Sequence, residues 1–350
     1  MQLEFRPFTV HKQFALTISR GTSAASTNIW LILRQDGVEG WGEATPFSVG
    51  IPQTTAGITA SLEQVAPALT SLTPFDQQDI QQILEEHQVP SAACAALDLA
   101  MHDWIGKRLG VPLWQLWGGD RQRIVPTSVT IGISSPDEAR ARLHHWRQSV
   151  TVRAVKVKLG SPDGIEADQA MLQAILKDVS SGTKVSVDAN GGWKTEGAIA
   201  MSRWLADRGV TYIEQPLAHG AEDELPRLYR ESPLPIFVDE SCFTSRAIPK
   251  LGDRVHGINI KLMKSGGLAE ARRLIHTARA HGLQVMFGCY SDSALANTAA
   301  AQLAPFADHL DLDSHLNLKD DPFIGATLND GCLIPADQPG LGVRLRSSEP

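Results

Sequence analysis

The sequence predicts an α/β protein: a (β/α) barrel preceded by an α+β unit. Three observations predict it. Up to about residue 120, period-two alternation and hairpin signals give way to helical periodicity. From there to about residue 320, short apolar runs alternate with single amphipathic stretches, the rhythm of a parallel barrel. Charged residues recur at the C-terminal ends of those runs, the end at which barrels carry their chemistry.

The α+β unit, 1–120, opens with an alternating stretch from Leu3 to Leu16. Ser19–Ser26 is small and polar and reads as a mobile loop, a common home for ligand contacts. Asn28–Leu33 and Val38–Glu43 read as strands joined by an Asp36-Gly37 hairpin. Helices are expected over Ser61–Leu72, Phe75–Glu86 and Ala92–Leu109, the last closed by Pro112 and Gly118-Gly119. In the barrel segment, 121–320, strands are expected at Val125–Ile133, Ala154–Leu159, Lys184–Asn190, Thr211–Gln215, Ile236–Asp239, Gly257–Leu262, Gln284–Gly288 and His309–Asp313. Connecting helices include Ile165–Val179, Gly197–Asp207, Leu268–Ala280 and Ser293–Leu303. The turn-rich remainder, 321–350, is expected to pack back on the first unit.

The chain has 350 residues, a net charge of −7 and no basic run, so no nucleic-acid partner is expected. No apolar run is long enough to span a bilayer, and the first residues lack the pattern of a signal peptide. Cys94, Cys242, Cys289 and Cys332 are far apart and read as free thiols in a reducing cytoplasm. Walker, dinucleotide-binding, zinc-protease and nucleophile-elbow patterns are all missing.

The strand ends carry Lys156-Val157-Lys158, Asp188-Ala189-Asn190, Glu214-Gln215-Pro216, Asp239-Glu240-Ser241 and Asn259-Ile260-Lys261. Alternation puts Lys156 and Lys158 on one face and Val155 and Val157 on the other. With the apolar set against the outer helices, the charged set faces the barrel axis. Three carboxylates without a nearby His or Cys suit Mg²⁺, with Mn²⁺ as a substitute. A lysine beside a second cation is a better base than a free one, so Lys156 would lower the pKa of Lys158. Lys261 would approach from the opposite side. Two lysines flanking a metal-held carboxylate can remove an α-proton and return it from the other face, with the metal carrying the enediolate charge. Each residue alone also suits an ordinary ion pair; five at successive strand ends with inward parity argue for a site. Ser265-Gly266-Gly267 before a helix reads as a tight turn rather than a phosphate cradle. His144, His145, His276 and His281 read as solvated.

At these residues the chain resembles the enolase superfamily, muconate-lactonising subgroup. The resemblance spans nearly the whole length, including Gly40-Trp41-Gly42-Glu43-Ala44, Ala96-Leu97-Asp98 and the run Asn259-Ile260-Lys261-Leu262-Met263-Lys264. It implies a modified TIM barrel, (β/α)7β, with an N-terminal α+β capping domain completed by the C-terminal segment. It further implies Asp188, Glu214 and Asp239 as Mg²⁺ ligands, Lys158 and Lys261 as acid/base catalysts, and a supporting role for Lys264. Asp311-Leu312-Asp313 resembles the Asp-x-Asp motif with which dipeptide epimerases hold a substrate α-ammonium, and two acids on one face suit a cation. Arg20 falls where L-Ala-D/L-Glu epimerases carry an arginine for the glutamate side chain. Thr130 matches a pocket-lining threonine.

The expectation is therefore an Mg²⁺-dependent dipeptide epimerase, L-Ala-D/L-Glu or related, forming a homo-oligomer. Lys158 would serve the L side and Lys261 the D side. Gly191 and Tyr290 depart from the family pattern and bear on side-chain preference. Alternatives of the same fold are an N-acylamino acid racemase, an o-succinylbenzoate synthase or a cycloisomerase; a Schiff-base aldolase and a non-catalytic barrel stand outside it.

Overall fold

The computed structural model describes residues 1–346. Its first unit is a three-stranded antiparallel sheet, β1 (Gln2–Ile18), β2 (Gly21–Gln35) and β3 (Val38–Ala44), backed by helices Thr55–Leu69, Gln77–Glu86 and Ser91–Leu109. Asp36 and Gly37 both take positive φ, 51° and 74°, so the expected β2–β3 hairpin forms on a turn that matches strand twist. Gly40 and Gly42 of β3 press on Ser91–Leu109. A Cβ at Gly40 would lie 2.0 Å from the Ala100 carbonyl oxygen, and one at Gly42 would lie 1.9 Å from that of Ala96. Only glycine permits this approach, which accounts for the Gly-x-Gly spacing.

The expected mobile loop at Ser19–Ser26 is instead part of a long β1–β2 hairpin that turns at Ser19 and Arg20, with Ile18 opposite Gly21 and Leu16 opposite Ser23. Its small polar residues hid the strand because the β2 side of this projecting ribbon carries no apolar stripe of its own. The register shifts between His11 and Leu16, a bulge that bends the ribbon over the second unit. There Ser19 Oγ donates to the Asn190 carbonyl at 2.9 Å, and Ile133 N donates to the Thr17 carbonyl at 2.9 Å.

The second unit is an eight-stranded parallel barrel of β4 (Ser128–Ile131), β5 (Ala154–Lys158), β6 (Lys184–Asp188), β7 (Ile213–Glu214), β8 (Ile236–Val238), β9 (Gly257–Ile260), β10 (Gln284–Gly288) and β11 (His309–Asp311). A parallel bridge between Thr127 and Leu310 joins its first and last strands. All eight expected strands are present, several shorter than expected. Helices Ile165–Asp178, Thr195–Ala206, Leu268–Ala280 and Ala294–Ala301 lie close to their expected ranges. Pro136–Ser149 was not anticipated, although Ser135 and Glu138 form a capping box at its start. Between β8 and β9 the helix shrinks to Ile248–Leu251. Tyr212, Phe237 and His309 cluster at tilted and edge-on angles across the barrel floor, with the Tyr212 and His309 ring centres 4.6 Å apart.

The two units interlock. Asp98, on Ser91–Leu109, accepts from Leu268 N at 2.5 Å and Ala269 N at 3.2 Å, capping a barrel helix. Gly267, at φ 113°, leaves room for it: a Cβ there would sit 2.4 Å from Asp98 Oδ2. Ser265-Gly266-Gly267 is thus a turn filled by Asp98. The C-terminal segment returns to the first unit, with Phe323 edge-on to Phe8 and Trp30 and Leu341 N donating to Asp103 Oδ1.

Candidate active site

Parallel registry sets the site. β5 aligns Lys158 with Asp188, and β6 aligns Asp188 with Glu214. Asp239 directly follows β8 and Lys261 directly follows β9. Lys158 on the second barrel strand and Lys261 after the sixth lie four strands apart in a ring of eight, on opposite walls of the mouth. Asp188, Glu214, Asp239, Lys156, Lys158 and Lys261 are all buried.

The charges are paired. Lys158 Nζ donates to Asp188 Oδ2 at 2.6 Å, and Lys261 Nζ lies 2.8 Å from Asp239 Oδ2. Lys264 Nζ donates to the carbonyls of Asp239, Cys242 and Asn259 and lies 3.0 Å from Asp239 Oδ1. Lys156 Nζ donates to Glu214 Oε2 at 2.5 Å and to Asp311 Oδ2 at 2.6 Å. Lys156 therefore does more than repel Lys158. Burial pushes the Lys158 ammonium down, Asp188 pulls it up, and Lys156 adds a smaller downward push; the net displacement is upward. Lys261, burial notwithstanding, is held well above the usual lysine range by Asp239. The lowered lysine expected from Lys156 is thus outweighed by the carboxylate each base touches.

Among the described residues, no three acidic, histidine or cysteine side chains stand gathered at metal-binding distance. The donor set still fits a hard cation. Glu240 Oε2 and Asn190 Oδ1 are buried acceptors without a hydrogen-bond donor, a costly state that a cation would relieve, and the buried Asp239 oxygens are held by the Lys261 and Lys264 ammonium groups. Gln215 Oε1 fixes Asp239 by accepting from its backbone N at 2.8 Å, and Asn190 donates twice to Asp188.

Asp311 and Asp313 lie where β11 ends, beside β4. Asp311 Oδ1 accepts from Ser128 Oγ at 2.6 Å and Thr130 Oγ1 at 3.2 Å; Asp313 Oδ2 accepts from Thr130 N at 2.6 Å. Thr130 thus orients both acids as well as lining the cavity. Burial and the charge of Asp311 push Asp313 up to about 6. The acids face a cavity of about 640 Å³ that also touches Phe14, Ile131, Arg142 and Lys158. A second cavity, about 300 Å³, holds Lys158, Lys261 and Asn190 and is walled by Leu16, Ile18, Phe47 and Val49.

Arg20 reaches this second cavity, but its guanidinium is engaged: it donates to Glu240 Oε1 at 2.7 Å and the Asn190 carbonyl at 2.8 Å. Tyr290 stacks on Phe47, centroids 4.8 Å apart, with Lys261 Nζ 4.6 Å from its ring centre. Gly191, at φ 74°, has no room for a side chain: a Cβ would meet Ala218 Cα at 2.9 Å. Sequence reading missed Ser128 and Lys12, whose contacts link segments far apart in the chain.

A capped eight-strand barrel with acids on successive strand ends and a lysine on each wall defines the enolase-like class of barrel. Residues 138–349 match the family model for the enolase C-terminal domain-like fold, and residues 5–118 match the mandelate racemase / muconate lactonizing enzyme N-terminal domain. The chain belongs to the mandelate racemase / muconate lactonizing enzyme family of that superfamily. It is 44% identical over 347 residues to a hydrophobic dipeptide epimerase of a Flavobacteria bacterium, covering 99% of each chain. It is 45% identical over 343 residues to one from Roseobacter litoralis, covering 98% of each. The structure also matches the dipeptide epimerase of Enterococcus faecalis complexed with Mg and the dipeptide L-Leu-L-Tyr, at a TM-score of 0.91, 30% identity and 98% coverage of both chains.

Proposed function

We propose that this protein is a dipeptide epimerase that inverts the α-carbon of the C-terminal residue and prefers an apolar side chain there. The observation that carries the reading is the pair of opposed lysines beside a separate acid pair. Lys158 and Lys261 flank the smaller cavity, and Asp311 and Asp313 line the larger one. The acids suit the α-ammonium of a dipeptide; the lysines suit the α-hydrogen on either face of its second residue. One lysine accepts the proton, the other donates from the opposite side, and the two exchange roles in the reverse direction. Lys158 would act on the L epimer and Lys261 on the D epimer. Asp188, Glu214 and Asp239 would hold Mg²⁺. That ion would supply positive charge for the carboxylate as the α-proton leaves, and would weaken the grip of Asp188 and Asp239 on the two bases.

The side-chain preference rests on Leu16, Ile18, Phe47 and Val49 in the wall, and on Arg20 being neutralised by Glu240. An acidic side chain would have to compete with Glu240 for Arg20. This narrows the expectation of L-Ala-D/L-Glu or a related dipeptide toward apolar second residues. The relatives named for hydrophobic dipeptides support the narrowing.

The test is incubation with Mg²⁺ in D₂O of L-Ala-L-Leu, L-Ala-L-Phe and L-Ala-L-Glu, read by mass spectrometry. A one-dalton gain, fastest for the apolar dipeptides, is expected. No gain in any dipeptide, with gain in N-acyl amino acids, would move the assignment to a racemase of that class.

A further inference from the structure

Lys12 stands out among the lysines of the site. Lys156, Lys158, Lys261 and Lys264 each have a carboxylate oxygen within 3.0 Å. Lys12 does not: its Nζ donates to Ser23 Oγ at 2.9 Å and Ser291 Oγ at 2.7 Å, and among the described residues no acid is within ion-pair distance. It is buried, at 8% exposure. An ammonium carries three N–H donors, so one is left for an acceptor from outside. Burying a cation against neutral hydroxyls alone is costly, and such a cost persists in a site where a ligand relieves it.

Its position says which ligand atom. Lys12 sits at the start of the β1 bulge, in the wall common to both cavities. Five side chains line both: Lys12, Leu16, Lys158, Cys289 and Tyr290. A dipeptide with its ammonium at Asp311 and Asp313 and its second α-carbon between Lys158 and Lys261 must carry its amide across this boundary. Of the five, Lys158 faces the reacting carbon, Leu16 has no donor, and Cys289 Sγ donates to the Asp311 carbonyl. Tyr290, face to face with Phe47 at the Lys261 wall, keeps a buried hydroxyl without a partner, a neutral donor where Lys12 is a charged one. We propose that Lys12 donates its third hydrogen bond to the peptide carbonyl oxygen of the substrate, fixing the amide between the two cavities. This rests on the dipeptide reading above and adds to it a requirement for an acyl carbonyl on the reacting residue's nitrogen.

The experiment compares wild type, Lys12→Met and Lys12→Gln on L-Ala-L-Leu and its thioamide analogue, in which the acceptor is the weaker sulfur. Wild type should show a KM for the amide roughly 10- to 100-fold below that of the thioamide, as for a hydrogen bond to a charged donor. Lys12→Met should raise the amide KM by a similar factor, change kcat little, and process amide and thioamide with equal KM. Lys12→Gln, which keeps a donor, should restore part of the preference. A Lys12→Met enzyme that still prefers the amide as wild type does would overturn the proposal while leaving the epimerase reading intact. A wild-type enzyme that exchanges no dipeptide would overturn both.

Discussion

Lys156 Nζ lies 2.6 Å from Asp311 Oδ2 while its other carboxylate partner is Glu214, so one buried ammonium joins the acid pair to the candidate metal ligands. Removing it would strand two buried carboxylates. Lys156→Met should therefore destabilise the fold by roughly 3–5 kcal/mol, the usual cost of breaking a buried pair. A thermal melt checks this. A melt within a degree of wild type would show that the pair is not coupled to the fold.

Asp313, unlike the Lys156-paired Asp311, should matter only for substrates with a free amine. Asp313→Asn should lower kcat/KM for L-Ala-L-Leu by on the order of 10–100-fold, a charge-assisted contact, and leave N-acetyl-leucine turnover unchanged. The pH profile carries the same information. Asp313 titrates at about 6 in the free protein, so below that pH it is neutral and has lost its attraction for an ammonium. The kcat/KM for a dipeptide should fall as pH drops through 6, and this limb should vanish in Asp313→Asn.

Chelation should abolish exchange, and added Mg²⁺ should restore it. Asp239, a buried carboxylate of the candidate metal set, predicts a second signature: Mg²⁺ alone should raise the melting temperature, and Asp239→Asn should lose that rise. Activity that persists in EDTA would favour Schiff-base chemistry at a lysine.

Asp98 ties the first unit to a barrel helix. Asp98→Ala leaves the Leu268 and Ala269 N–H groups without a cap and should cost about 1–3 kcal/mol. Gly267→Ala should be worse, because φ 113° and the contact with Asp98 both exclude a methyl group. Denaturant titration of the two variants checks the order.

Much of the site was legible because strand alternation is a local signal: Lys156 and Lys158 share a face whatever the rest of the chain does. Asp188, Glu214 and Lys261 were legible for the same reason, each ending a short apolar run. What stayed hidden depends on tertiary contact. Ser19–Ser26 has the composition of a loop, yet from Gly21 onward it is held as strand by pairing within the hairpin. Lys12 lies in a bulge whose direction no periodicity records. The partners of Arg20, Asn190 and Glu240, come from two different barrel loops. Ile248–Leu251 is one turn long, too short for a helical period to emerge.

Two lysines on opposite walls sharing one α-carbon form the core of the proposed reaction. The most direct measurement is deuterium uptake by Lys261→Ala and Lys158→Ala in D₂O, each supplied separately with L-Ala-L-Leu and L-Ala-D-Leu, with the configuration of the product resolved. Each variant should lose epimerisation by on the order of 10²–10⁴-fold. Lys261→Ala should still wash the α-hydrogen out of the L,L epimer with retention, and Lys158→Ala out of the L,D epimer. Epimerisation in both directions at near wild-type rate by either variant would contradict the account.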